Sequence, residues 1–341
     1  MSNSLKIIYS TLAVVMVVNS LVFALPINTD AIAGNPDIVI TKDKNEKLFK
    51  TKLDKIDSAN PVVREVIKQE NSKEVKFEGK EKNIKLNLVD GKIGINKNTD
   101  FQIELPKTLK YELKGDKVVG FDSNGDIGNT IENVEGGFRI VINIKESKAK
   151  TYTYDFPLVA KKGEKYTMDK DGSVMLVDLN GERLFSVLPP WAVDAKDKQL
   201  KTWYTIESKG TVLRQNIDLK GASFPVIADP AWCGNTVQDV YWGYVAAGSY
   251  YSVAPTWCGR YGAGTKALWD DMQKIKAINF ASWANAYGKT TTEVYNSMYH
   301  QLECHNYHPA AFATKGRYNL DPWRKDAPTF WAQINASCNI N

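Results

Sequence analysis

The sequence predicts an α+β protein in which a β-rich antiparallel middle domain is followed by a small disulfide-bonded α+β C-terminal domain. Two observations support this fold class. From about residue 81 to residue 230, apolar and polar residues alternate and turn residues recur at short intervals, which is typical of antiparallel sheets. All four cysteines of the 341 residues lie after residue 230, where the apolar spacing moves toward the helical period of about 3.6 residues.

Residues 1–33 have the pattern of a signal peptide. Lys6 supplies the positive charge, residues 7–24 are mostly apolar, and residues 31–33 are Ala-Ile-Ala, which favours cleavage before Gly34. A retained membrane anchor is the alternative, because roughly 18 apolar residues can span a bilayer. We favour cleavage, which predicts a secreted protein, extracellular or associated with the cell wall, without stable membrane insertion.

Residues 34–80 are rich in Lys, Glu and Asp and contain no tryptophan. Such a segment buries little apolar surface, so we predict a charged, partly disordered lead with one helix near residues 62–68. The net charge of the whole chain is +5 and is spread along it, which suits an anionic wall or membrane surface. We therefore predict no nucleic-acid partner, and no cofactor is predicted.

The β-rich domain, residues 81–230, contains strong turn signals. Asp171-Gly172 and Asn180-Gly181 each separate two β-rich runs, as in β-hairpins. Residues 122–126, Asp-Ser-Asn-Gly-Asp, have the spacing of the first ligands of a calcium loop. However, Ile127 stands where such a loop has Gly, and Asn133 where it has Glu. We therefore predict a polar hairpin turn at residues 122–126.

Four short motifs in residues 152–232 carry a resemblance. They are Tyr-Asp-Phe at 154–156, Asp-Gly-Ser at 171–173, Pro-Trp-Ala-Val-Asp-Ala at 190–195 and Phe-Pro-Val-Ile-Ala-Asp-Pro at 224–230. The stretch resembles the β-rich module that many secreted Gram-positive proteins place upstream of a C-terminal domain, which implies a presenting scaffold. Asp194 and Asp229 could form a pair of catalytic carboxylates. Because each lies beside Pro or a small residue at a predicted strand end, we interpret both as turn caps.

The cysteines and the helical patterning both begin near residue 231. Thr290 and Glu293 have capping-box spacing and open the second of three predicted helices, and the third starts at residues 326–328, Asp-Ala-Pro. The apolar stripes of the three helices are Leu268, Met272, Ile275 and Ile278; Val294, Met298 and Leu302; and Trp331, Ile334 and Cys338. We predict that the domain 231–341 is autonomous and that limited proteolysis releases it close to Trp232.

Four cysteines behind a signal peptide predict two disulfides, for which three pairings are possible. Cys304 lies near the end of the second predicted helix and Cys338 at the end of the third, so these two can be bridged. Cys233 and Cys258 would then close a loop of about 25 residues around an aromatic β-hairpin. We predict this pairing, and the other two stay open.

Several separated motifs near the C terminus carry a second resemblance. They are Tyr-Ser-Val-Ala-Pro-Thr at 251–256 with Arg260, Gln-Leu-Glu-Cys-His at 301–305, Lys315, Asn-Leu-Asp-Pro-Trp-Arg at 319–324 and Cys-Asn at 338–339. Residues 237–341 thereby resemble a bacterial C-terminal domain of unknown function, domain-of-unknown-function family 2599. The chain departs from the family's usual ending at Tyr318, Asp321 and Lys325. The resemblance implies secretion and a disulfide, but no established activity.

Three histidines, His300, His305 and His308, lie within nine residues. Histidine is the commonest metal ligand in proteins. The spacing is nevertheless poor for zinc, because residues five apart lie on opposite faces of a helix and Pro309 follows His308 directly. We therefore predict no metal site.

His305 is the candidate catalytic residue. It could act as a general acid or base oriented by Asp321, while Arg260 or Arg324 holds an anionic phosphate or carboxylate. In the structural alternative, His305 hydrogen-bonds a buried carbonyl beside a disulfide, and Arg324 pairs with Asp321 to lock the Pro-Trp loop. We favour the structural alternative, because one histidine with one carboxylate is a common structural pair.

Aromatic residues crowd the predicted hairpin at positions 241, 242, 244, 250 and 251. Trp, Tyr and Arg dominate binding interfaces, and flat rings stack on sugars. The predicted binding residues are Trp242, Tyr250, Tyr251, Arg260 and Trp323. Packing in a small core is the alternative for these aromatics.

The predicted function is a secreted extracellular or wall-associated binding protein for an unknown ligand, a cell-wall polymer or a protein. The alternative is a secreted hydrolase or toxin-like effector that uses His305.

Overall fold

A computed structural model describes residues 42–59, 64–79, 84–96, 100–159, 163–168, 174–261, 264–307 and 316–326, together with residues 332, 334 and 338. The predicted signal peptide and most of the predicted third helix lie outside the described residues. Residues 332 and 334 are helical. No helix in the described part of the chain is long and apolar enough to cross a membrane.

β-Strands dominate the described chain. After the helix α1 (Lys42–Ala59), the strands are β1 (Ile67–Asn71), β2 (Glu74–Phe77), β3 (Ile84–Asn87), β4 (Lys92–Asn96), β5 (Asp100–Glu104), β6 (Lys110–Lys114), β7 (Lys117–Phe121), β8 (Ile127–Val134), β9 (Gly137–Ile144), β10 (Thr151–Val159), β11 (Lys165–Met168), β12 (Val174–Val177), β13 (Arg183–Val187), β14 (Trp191–Val193), β15 (Thr202–Glu207), β16 (Val212–Asp218), β17 (Val226–Asp229) and β18 (Ala231–Cys233). The C-terminal region contains β19 (Val237–Val245), β20 (Gly248–Pro255), α2 (Trp257–Arg260), α3 (Thr265–Ile275), α4 (Phe280–Tyr287), α5 (Thr291–Tyr307) and β21 (Tyr318–Leu320).

Strands β1 to β18 form two antiparallel sheets that share one hydrophobic core. The first sheet has the order β1-β2-β3-β4-β5-β10-β16-β15, and the second has the order β11-β12-β13-β18-β9-β8-β7-β6. β17 pairs with β9 in the second sheet, and β14 pairs with β17. This antiparallel architecture, followed by helices and a third sheet, confirms the predicted α+β class.

Aromatic rings occupy the centre of the core. Trp232 of β18 is fully buried, stacks on Phe138 with 5.1 Å between ring centroids, and meets the Phe156 ring edge-on at 4.8 Å. Every residue of β9 is buried, since other parts of the fold cover both faces of this strand.

Helix α1, within the predicted lead, folds against the second sheet. Its apolar residues Phe49 and Leu53 lie four residues apart, and therefore on one helix face, and pack against Val141 and Ile227. Ion pairs of Lys52 and Lys55 with Asp197 add to this short apolar stripe and hold the charged helix in place. Within the charged lead predicted for residues 34–80, residues 42–59 thus form a helix that is packed on the second sheet.

The end of the predicted lead is β-structure. The helix predicted near residues 62–68 is wrong over residues 64–68, because β1 begins at Ile67. Val75 and Phe77 are buried two residues apart, which is the period of a strand. β1, β2 and β3 are neighbours in the first sheet, so the boundary predicted at residue 80 falls inside that sheet.

Two predicted turns are confirmed. Asp122 accepts hydrogen bonds from the backbone N–H groups of Asn124 and Asp126, both at 2.9 Å, and Lys145 pairs with Asp122 and Asp126. Asp194 likewise caps a turn, because its carboxylate accepts three backbone N–H groups, those of residues 196, 198 and 223.

Asp229 is not the turn cap that its position in the sequence predicts. It is buried in a cluster of charged side chains, where Arg139 lies 3.6 Å away and also binds Glu132 and Asp57. Arg64 pairs with Asp57 and completes the cluster. Burial raises the pKa of Asp229 to about 7, although Arg139 opposes this shift.

Strand β18 connects the β-rich region to the C-terminal domain. Trp232 points into the core between the sheets, while Ala231 and Cys233 pack with Trp257 and Cys258 on the other side. β18 pairs with β9 and β13, so residues 231–233 belong to the second sheet. The domain boundary predicted at residue 231 thus falls within β18, and Trp232, close to which proteolytic release is predicted, is fully buried.

Polar contacts reinforce this junction. Asp271 of α3 pairs with Arg183 of β13 and accepts hydrogen bonds from the backbone N–H and the hydroxyl of Thr236, at 2.9 and 2.7 Å. In the turn after β8, the carboxylate of Glu135 accepts the backbone N–H of Trp257 at 2.7 Å. The C-terminal domain is thus held to the second sheet by apolar, ionic and covalent contacts.

The buried carboxyl of Asp229 predicts a pH-dependent stability. In the unfolded chain Asp229 ionises near its ordinary pKa of 3.8, whereas in the fold it stays protonated up to about pH 7. Unfolding therefore releases a proton between these values, and the contribution of Asp229 to the free energy of unfolding falls as pH rises through them. Asparagine is always neutral. As pH rises toward about 7, the free energy of unfolding of Asp229→Asn should therefore increase relative to that of wild type, by up to about 1.4 kcal/mol per pH unit.

Urea unfolding of both proteins at several pH values between about 5 and 8 measures this difference. The comparison of variant and wild type removes the contributions of the other titrating groups. A stability difference that stays constant over this range would contradict the assignment.

The ion pair of Asp271 with Arg183 should contribute to the junction between the C-terminal domain and the second sheet. Asp271→Asn should lower the free energy of unfolding by about 3 kcal/mol, because it leaves the buried guanidinium of Arg183 without its carboxylate. The neighbouring Asp270 is a matched control, since its pair with the exposed Lys266 is worth under about 1 kcal/mol. Urea unfolding should show one transition for both regions, and two separate transitions would refute the rigid junction.

Candidate functional site

The C-terminal domain packs three helices against a three-stranded sheet of order β19-β20-β21. The predicted hairpin is present as β19 and β20, and the capping box is confirmed by reciprocal bonds between Thr290 and Glu293. Leu268 and Met272 of α3 are buried as predicted, but Ile275 is 48% exposed. α3 ends at Ile275, and Ile278, which follows the helix, is buried in the core as predicted.

Both predicted disulfides are confirmed. Cys233 and Cys258 are bonded, with 5.6 Å between their Cα atoms, and join β18 to α2. Cys304 and Cys338 are bonded at a Cα distance of 5.4 Å, and this bridge ties α5 to residues close to the C terminus. The first bridge links the two regions, and the second lies within the C-terminal domain.

His305 lies on the buried face of α5. It is 4% exposed, and its ring is stacked almost parallel on Tyr318 of β21, with centroids 5.1 Å apart. Ser297 and Gln301 precede it at intervals of four residues on the same helix face, and both are also buried. This stripe of α5 lies along the segment from β21 to Arg324.

Asp321 and Arg324 form the pair that the structural alternative predicts. Nε of Arg324 lies 2.5 Å from the Asp321 carboxylate, and its guanidinium covers the Trp323 ring at 4.4 Å. The backbone of Asp321 exchanges hydrogen bonds with the Gln301 side chain at 2.8 and 3.0 Å. These contacts hold the Pro-Trp loop against α5. His305, Asp321 and Arg324, the candidate catalytic residues, thus all take part in packing this loop and β21 against the helix.

The predicted binding residues divide into buried and outward-facing groups. Tyr251 is fully buried, and its hydroxyl donates to the carbonyls of Met272 and Lys276. Trp242, opposite Tyr251, packs at the edge of the core. A ligand can therefore not reach Tyr251, and the prediction that it binds one is wrong.

Arg260 and Trp323 lie apart from the hairpin's outer face. Arg260 donates to the carbonyl of Gly316 at 3.0 Å, and Trp323 lies beside Gly248 at the start of β20. A Cβ atom on Gly248 would approach the Trp323 ring to 2.6 Å, so the ring packs directly on this backbone. Both side chains are half-buried.

The outer face of the hairpin forms a separate surface, which we call the tyrosine face. It consists of Asp239, Tyr241, Tyr250, Arg317 and Asn319. The rings of Tyr241 and Tyr250 meet edge to face with centroids 6.3 Å apart, and the Arg317 guanidinium covers the Tyr241 ring at 4.4 Å. Asp239 pairs with Arg317 at 2.6 Å. Tyr241 remains 43% exposed.

Strand alternation explains why these side chains share one face. Trp242 pairs with Tyr251 on the inner side, so Tyr241 and Tyr250 point outward. Gly243 stands opposite Tyr250, and a Cβ atom there would lie 2.2 Å from Cζ of the tyrosine. The absence of a side chain at Gly243 therefore lets the Tyr250 ring lie across β19.

The tyrosine face is electrically balanced. Asp239 and Arg317 carry opposite charges and neutralise each other. The neighbouring Tyr241 raises the pKa of Tyr250, so this phenol remains neutral at physiological pH. The face therefore offers aromatic rings and hydrogen-bonding groups without net charge.

Sequence reasoning identified Tyr250 but missed the polar half of this face, Asp239, Arg317 and Asn319. Arg317 and Asn319 flank Tyr318 in a short β-run, and their alternation with Tyr318 and Leu320 was the available signal. Pairing of β21 with β20 spans more than 60 residues of sequence, as in the Arg317 to Ser252 hydrogen bond. Such a long-range register has no local signature.

Residues 237–341 match the model of the family described as "Protein of unknown function (DUF2599)". The match begins at the first residue of β19, and so the family covers the hairpin, the helices and the second disulfide. It excludes β18, in agreement with the place of that strand in the second sheet. No curated protein is significantly similar to the chain.

The packing of His305 predicts a structural effect of its removal. His305→Ala should lower the free energy of unfolding by about 1–3 kcal/mol, because it opens a cavity and removes the stacked ring from Tyr318. His300→Ala is the matched control: its side chain is 38% exposed and pairs with Asp326 at the surface, so a change within about 0.5 kcal/mol is expected. Thermal melts of both variants test this, and an unchanged melt for His305→Ala would contradict it.

Proposed function

We propose that the protein is secreted and acts as an extracellular or cell-wall-associated binding protein. In this proposal the β-rich region is the scaffold and the tyrosine face of the C-terminal domain is the ligand surface. The observation that carries it is the outward orientation of Tyr241 and Tyr250 on a sheet whose other face packs Tyr251 and Val253 into the core. The two disulfides support an oxidising, extracellular location.

Exposed aromatic rings favour binding because they bury a large area at little cost in side-chain entropy. Arg317 and Asp239 add directional hydrogen bonds beside the rings. Tyrosine and arginine are also the residues most often found to dominate interface energies. A surface of this composition is better suited to binding a ligand than to covalent chemistry.

The rigid junction with the scaffold supports the same proposal. The disulfide of Cys233, the contacts of Asp271 and the apolar packing of Trp257 hold the domain in one orientation. A ligand surface held in this way loses little conformational entropy when it binds.

The alternative, a secreted hydrolase or toxin-like effector, requires His305 to exchange a proton with a substrate. A general acid or base must lie within hydrogen-bonding distance of the reacting atom. The 4% exposure of His305 and its stacking on Tyr318 favour the binding proposal instead.

Sedimentation with insoluble cell walls from a Gram-positive bacterium tests the proposal. The double variant Tyr241→Ala, Tyr250→Ala should bind at least about tenfold more weakly than wild type, a loss of about 1.4 kcal/mol that is typical of interface aromatics. Tyr244→Ala is the matched control, since Tyr244 is 76% exposed at the hairpin tip on the opposite side of β19. It should bind like wild type.

Walls prepared with and without protease treatment distinguish a polymer ligand from a protein ligand. Equal sedimentation of wild type and the double variant, or no sedimentation of wild type, would overturn the proposal. His305→Ala with a retained fold and retained binding would weigh further against a catalytic role.

A further inference from the structure

We propose that the tyrosine face binds a neutral saccharide, whose ring stacks on Tyr250 while its hydroxyl groups bond to Arg317, Asp239 and Asn319. This inference rests on the proposed binding function and names its ligand class. Three features of the face support it: the orientation of the tyrosine rings, the unused hydrogen-bonding groups beside them and the absence of net charge.

The first feature is the position of the Tyr250 ring. Its hydroxyl end lies over Gly243, where a Cβ atom would be 2.4 Å from the hydroxyl oxygen. The ring therefore rests on the backbone of β19 and can turn its other side outward. A flat ring supported from beneath is suited to stack on the apolar face of a sugar ring.

The second feature is a donor beside an acceptor. Nε and Nη2 of Arg317 bind Ser252 and Asp239. Within the described residues, Nη1 of Arg317 and Oδ2 of Asp239 have no hydrogen-bond partner. Two adjacent sugar hydroxyls, one accepting and one donating, would satisfy both atoms.

Asn319 adds a third polar group to this set. It lies across from Ser252 on the outer face, and its Oδ1 accepts the Ser252 hydroxyl at 2.8 Å. The amide nitrogen of Asn319 is left to donate to a ligand, and the residue is exposed. The face thus offers donors and an acceptor around one aromatic ring.

The third feature decides between neutral and anionic ligands. A phosphate or carboxylate near Arg317 would also lie near Asp239, because these side chains are 2.6 Å apart. Repulsion from Asp239 offsets the attraction of Arg317 for an anion. A hydroxyl group has no such penalty, so a neutral sugar fits this face better than an acidic polymer.

Titration calorimetry with the secreted protein tests the inference. The probes are β-1,4-linked tetramers of glucose and of N-acetylglucosamine, with a tetramer of galacturonic acid as the anionic comparison. At least one neutral tetramer should bind, and its affinity should change less than about twofold between about 0.05 and 0.5 M salt. The galacturonate tetramer should bind at least tenfold more weakly.

Gly243→Ala is the diagnostic variant, because the new Cβ displaces the Tyr250 ring without altering the inner face of the hairpin. It should weaken binding of the neutral tetramer at least tenfold. Arg317→Lys keeps the charge but removes the guanidinium fork, and it should weaken binding similarly. Tyr244→Ala should bind like wild type, and thermal melts verify that each variant is folded.

Preferential binding of the galacturonate tetramer would overturn the inference, as would unchanged affinity in folded Gly243→Ala and Arg317→Lys. If no tetramer binds while wild type still sediments with cell walls, the saccharide assignment fails and the proposed binding function stands. If neither experiment shows binding, both fail.

Discussion

The structure depends on β18, a strand of three residues that serves two hydrophobic clusters at once. Trp232 fills the centre of the core between the sheets, and Ala231 and Cys233 on the opposite side belong to the cluster at the junction with the C-terminal domain. Because side chains alternate along a strand, a shift of one residue would exchange these roles and unmake both clusters. The disulfide from Cys233 to Cys258 fixes this register covalently.

Close backbone packing at the same junction makes the two regions one body. A Cβ atom on Gly137 would lie 1.9 Å from the carbonyl oxygen of Trp232, and one on Gly136, where φ is +92°, would lie 2.2 Å from that of Asn235. Only glycine allows the turn after β8 to approach so closely. The C-terminal domain, with its own three-stranded sheet, is therefore held firmly against the second sheet.

Strand alternation also separates the side chains of the hairpin that pack in the core from those on its outer face. Trp242 and Tyr251 stabilise the domain from the inner face, whereas Tyr241 and Tyr250 add little to the core and remain available on the outer face. The polar residues on the buried face of α5 also have a packing role. Ser297 and Gln301 hydrogen-bond the segment from Tyr318 to Arg324, and His305 stacks on Tyr318. His305, the histidine that the sequence makes a candidate for catalysis, is therefore part of the packing between α5 and β21.

The sequence by itself determined the antiparallel β-rich region, the capping box and the turns at Asp122 and Asp194, because each follows from local periodicity, helix ends or turn chemistry. It predicted two disulfides, but the structure decided among the three possible pairings. Only the tertiary structure decided that Asp229 is buried beside Arg139 and that Phe49 docks α1 onto the second sheet. It also decided which tyrosines face outward and that Arg317 joins Asp239, 78 residues away in sequence. These contacts depend on strand register and on packing between distant segments, for which a single sequence carries no local signal.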